Sequence, residues 1–100
     1  MTKAKDILDT EEKWTKGEFA RNEFGDGVDP NDKTACKRCL VGAMDVAYPG
    51  YEEWEAAIKK VHAAVTKFYP AFAHRATSNF NDAPEITFAD IRRVLEEADV

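Results

Sequence analysis

Two cysteines three residues apart, Cys36-Lys37-Arg38-Cys39, have a spacing shared by redox pairs and zinc sites. Either chemistry needs more than the spacing. A redox pair follows a strand and sits at a helix N-terminus that stabilises the thiolate, whereas Asp29-Pro30-Asn31-Asp32 reads as a loop and the start of a helix. A tetrahedral zinc ion needs two further ligands, and the two histidines, His62 and His74, are twelve residues apart rather than the roughly three to five of a zinc finger. We therefore read both cysteines as reduced thiols within a helix, with Cys39 on its core side. A Cys39 nucleophile served by His62 or His74 is disfavoured, because a reactive thiol needs exposure near a helix start. The chain has no glycine-rich phosphate loop, no Gly-x-Ser-x-Gly elbow and no zinc-protease helix motif. No catalytic residue, metal ligand or cofactor is assigned, and an enzyme is the less favoured class.

The remaining candidates are contacts to a ligand or partner. Asn81-Asp82, before Ala83-Pro84, is the most suggestive pair, since a short amide and a carboxylate in a turn can bind a ligand; the plainer reading is that they fold back on the backbone and cap the helix that follows. His74 and Arg75 fall in an irregular stretch and suit contact with an anion or a partner. Arg21 either pairs with a carboxylate inside the fold or reaches a partner. His62 reads as helix packing, and Trp14 and Trp54 as core anchors.

The elements that position these side chains follow from hydrophobic spacing. Cys39 to Met44 is apolar on every side, so the central helix is enclosed, with Asp29-Pro30 or Asp32 supplying its N-cap. Gly42 within it implies that a backbone or a bulky ring presses there, because an interior glycine costs about 1 kcal/mol relative to alanine. Trp54, Ile58, Val61, Val65 and Phe68 form one stripe of a long helix that ends at Tyr69-Pro70. Ala71 to Pro84 is mixed, with at most a helical turn around Phe72 and His74, and Ser78 to Pro84 turns the chain. Thr87-Phe88-Ala89-Asp90 has capping-box spacing for a last helix from Phe88 to about Ala98. Ala4 to about Trp14 reads as a short helix, with Asp9 to Glu12 as an alternative second start. Between Gly17 and Val28 the alternation and the Gly25-Asp26-Gly27 signal imply a hairpin-like excursion. The expected fold is mainly α, a compact bundle of about four helices with a small hairpin-like or irregular insert after the first, in a single domain over residues 1–100.

Three blocks, Trp14-Thr15-Lys16-Gly17-Glu18-Phe19-Ala20-Arg21, Cys39-Leu40-Val41-Gly42-Ala43-Met44 and Phe80-Asn81-Asp82-Ala83-Pro84, together resemble a small uncharacterised domain family from bacteria and their phages. The resemblance implies a compact bacterial or phage accessory protein and carries no activity with it. A net charge of −5, spread along the chain, argues against direct nucleic-acid or anionic-membrane binding. The N-terminus lacks the apolar core of a signal peptide, which points to the cytoplasm. The leading expectation is a non-enzymatic protein-interaction module, in one version an inhibitor of a host defence nuclease. The alternatives are a small ligand-binding or hydrolytic domain around Asn81, Asp82, His74 and Arg21, and a homo-oligomer built on Phe24, Tyr51, Tyr69 or Phe72.

Overall fold

The stripe from Trp54 to Phe68 forms the longest element, helix α3 (Tyr51–Phe68), in a computed structural model that describes residues 2–100. Helices α1 (Ala4–Ile7) and α2 (Leu40–Ala47) precede it, and α4 (Thr77–Asp82) and α5 (Phe88–Ala98) follow. The inner face of α3 is Ala57, Val61, Ala64 and Val65, and it lies against Ile91, Val94 and Leu95 of α5. Because α3 carries acids in its first turn and Lys67 in its last, its own dipole is favourably placed. Helix α5 begins where the capping box requires: the Thr87 hydroxyl accepts from the Asp90 amide at 3.4 Å, and the Asp90 carboxylate accepts from the Thr87 amide at 2.8 Å. Leu8, Leu40, Met44, Val61, Phe80, Ile91 and Leu95 are fully buried in one apolar cluster.

Several boundaries differ from the sequence reading. The first helix stops at Ile7 rather than running to Trp14, and Glu11–Lys13 forms a separate 3-10 turn, so the chain makes both starts. Cys36 and Cys39 are not in a helix. Lys37–Arg38 is a strand, β2, antiparallel to β1 (Ala20–Arg21), with Ala20 opposite Arg38 and Arg21 opposite Lys37. The excursion after Gly17 closes locally through an isolated Arg21–Gly27 bridge, and the ladder partner of β1 lies farther along the chain. Neither Asp29 nor Asp32 caps α2; each accepts from the backbone two residues on, holding a loop turn. Cys39 is the N-cap, its Sγ accepting from the Gly42 amide at 3.3 Å. After α3, Pro70–Phe72 makes a 3-10 turn, and Ser78 to Asp82 is helical rather than a turn.

Gly42 is where α2 meets the β1 segment. A Cβ built there would lie 2.1 Å from the Phe19 carbonyl oxygen, so only glycine permits this approach of helix to backbone. The Phe19 carbonyl also accepts from the Cys39 amide at 3.0 Å, fixing strand and helix start together.

Candidate functional site

Asn81 is fully buried, and its amide uses all of its hydrogen-bonding capacity. Its Oδ1 accepts from the Trp14 indole at 2.7 Å and from the Leu40 amide, the first of α2, at 3.0 Å. Its Nδ2 donates to the Thr15 carbonyl at 3.1 Å and to Asp82 Oδ1 at 2.9 Å. One side chain from α4 thereby caps α2 and anchors the 14–15 segment, which is not the cap on the following helix that its sequence position suggested. Asp82 continues the clamp, its Oδ1 accepting from the Gly17 amide at 3.0 Å.

Arg21 converges on the same segment from the other side. Its Nε donates to the Thr15 hydroxyl at 2.9 Å, Nη2 to the Lys16 carbonyl at 2.9 Å and Nη1 to the Gly25 carbonyl at 2.9 Å. It pairs with no carboxylate. Lys16 adds a further tie, donating to the carbonyls of Ala83 and Ile86, each at 2.6 Å, with its ammonium 5.4 Å from the Trp14 ring centroid. Arg21, Asn81 and Asp82 are thus brought together, and what lies between them is the protein's own chain.

His74 and Arg75 stand apart, exposed between the 3-10 turn and α4, with Arg75 stacked 5.4 Å from the Phe72 ring. Cys39 shares a cleft of about 230 Å³ with Phe19, Ser78 and Asp82. At a helix N-terminus the amides of Gly42 and Val41 favour its thiolate, but burial outweighs them and holds the thiol above its usual range. Burial therefore decides against a nucleophile here. Among the described residues no three metal-ligating side chains converge, and no helix is long and apolar enough to cross a membrane.

What the sequence reading missed in the excursion it placed between Gly17 and Val28 is the Asn22 side-chain cap on the loop from Asn22 to Asp26. Asn22 Oδ1 accepts from the Phe24 and Asp26 amides at 2.9 and 3.1 Å, and the Asn22 amide donates to the Asp26 carbonyl at 3.1 Å. Gly25 supplies the positive φ of 84° that the turn needs, and Arg21 holds its carbonyl. The side chain this turn carries outward is Phe24, which is 79% exposed.

The model of a family of unknown function, DUF6197, matches residues 1–99. The chain belongs to this family. Membership of DUF6197 agrees with the expectation of an uncharacterised domain family, and it leaves the activity to be argued from the geometry above. No curated protein and no solved structure matches the chain. For this DUF6197 member the signal that sequence reading passed over was Asn22-x-x-Gly25, a side-chain-capped turn with its glycine in place.

Proposed function

We propose that this chain is a non-enzymatic protein-interaction module that docks through the loop between β1 and β2, with Phe24 as its anchor. The observation that carries the reading is Phe24, 79% exposed on a turn held by five hydrogen bonds. Folding draws little from a phenylalanine left in water, whereas a rigid aromatic on a pre-organised turn loses little entropy when it enters a partner's pocket. Glu23 and Asp26 flank it, with Asp29 and Asp32 on the same loop, so the partner surface that fits is an apolar pocket rimmed by lysine or arginine. The more specific form is a bacterial or phage accessory protein, acting in the cytoplasm, whose loop carboxylates lie where nucleic-acid phosphates would sit in the basic groove of a defence nuclease.

Affinity capture from bacterial lysate at low salt tests this, with wild type compared against Phe24→Ala. The wild type retains a protein that the variant loses, and retention falls as salt rises; equal retention by both, or none by either, overturns the proposal. A homo-oligomer is a second reading favoured by the same ring and by Tyr51, 73% exposed. Tyr69 and Phe72 do not support it, since their rings pack 5.1 and 5.4 Å from Phe80. A solution mass above 11.2 kDa that returns to it in Phe24→Ala would select the oligomer.

A further inference from the structure

We propose that the cleft between the Asp29–Asn31 loop, the C-terminal end of α2 and the first turn of α3 binds the guanidinium group of an arginine side chain presented by a partner protein. The cleft holds about 390 Å³, and its walls include Asp29, Asp45, Tyr48, Tyr51 and Trp54. Three aromatic rings and two carboxylates share it, and no lysine or arginine lines it. Neither Asp29 nor Asp45 forms an ion pair among the described residues. Lys59, which acts on the Tyr51 hydroxyl, is itself paired with Glu55 at 3.3 Å.

The chain does not satisfy this cleft by itself. Burial pushes the Asp45 carboxyl up, the Trp54 indole opposes that, and the charge of Asp29 adds to the rise. The buried Trp54 indole N–H faces the Asp45 carboxylate, a neutral donor that leaves the acid's charge unanswered by any cation. A guanidinium answers the acids and the rings together, because it is planar, weakly hydrated, stacks on aromatic faces and meets carboxylates through paired N–H groups. A partner protein presents such a group on an arginine side chain.

This deepens the interaction reading, but a small probe tests the cleft with no partner present, so the two stand or fall separately. The experiment is NMR titration of the folded protein with N-acetyl-arginine amide at constant ionic strength, following the Trp54 indole N–H and the amides of Asp29 and Asp45. A saturable shift at all three, with a dissociation constant on the order of 1 mM, is expected. N-acetyl-lysine amide binds at least about three-fold more weakly, Asp45→Asn at least about five-fold, and the exposed Tyr51→Ala about three-fold. No shift beyond that given by sodium chloride overturns the proposal. So does equal binding of the lysine amide or of tetramethylammonium, or unchanged affinity in both variants; if Asp45→Asn fails to fold, Tyr51→Ala decides alone.

Discussion

Asn81 joins three parts of the chain through one amide, so its replacement leaves several buried groups unpaired at once. Asn81→Ala strands the Trp14 indole, the Leu40 amide and the Thr15 carbonyl, and we expect a loss of about 3 to 5 kcal/mol in denaturant unfolding. Asn81→Asp keeps the acceptor but loses the donor to Thr15 and faces Asp82, so its deficit should shrink as pH falls and the new acid protonates. Gly42→Ala is expected to cost about 1 to 3 kcal/mol or more, because the Phe19 carbonyl that blocks the methyl is backbone and also binds the Cys39 amide. A small loss in the same assay would mean that the α2–β1 approach is softer than this geometry. Thiol labelling should separate the cysteines: Cys36 is exposed and reacts first, while Cys39, buried with its thiol held up, reacts only on unfolding.

Helices α3 and α5 are legible from pattern alone, and each is tuned at its ends. Thr87→Ala removes the α5 cap and should lower stability by about 1 kcal/mol without altering the core. At the other end Asp99 takes a left-handed conformation, φ 54°, and meets Lys5 at 2.7 Å and Lys3 at 3.0 Å, tying the C-terminal end of α5 to the start of α1. The Lys5 hydrogen bond, then that of Lys3, holds the Asp99 carboxyl down at about 2. A depressed carboxyl stabilises the fold above its unfolded pKa of about 3.9 and ceases to as pH falls through the folded value. Stability should therefore decline between about pH 4 and pH 2, and Asp99→Asn, which tolerates the same backbone, should flatten that limb of the pH–stability curve. An unchanged acid limb would show these exposed pairs to be screened away.

Across the whole molecule the apolar cluster runs from Ala4 to Val100, whereas residues 22–36 contribute nothing to it. Amide exchange should follow that division, slowest at Val61–Val65 of α3 and Ile91–Leu95 of α5 and faster through the loop, where most protection comes from local turns. Uniform protection would mean that the loop is part of the cooperative core. The division also places the proposed docking residues, Phe24 and Asp29, on the part of the chain that folding uses least.

Periodicity and capping chemistry determined α3, α5, the mainly helical class and the need for a close approach at Gly42, because each is written in neighbours three or four residues apart. The strand at Lys37–Arg38, the helical state of Asn81-Asp82 and the cap at Cys39 were decided only in three dimensions. The hydrogen-bond partners that place them lie far along the chain: Arg38 pairs with Ala20, the Cys39 amide donates to the Phe19 carbonyl, and Asn81 reaches back to Leu40, Thr15 and Trp14. A two-residue strand has no period to read, and a buried amide follows the donors and acceptors that packing brings to it rather than the turn propensity of its own segment.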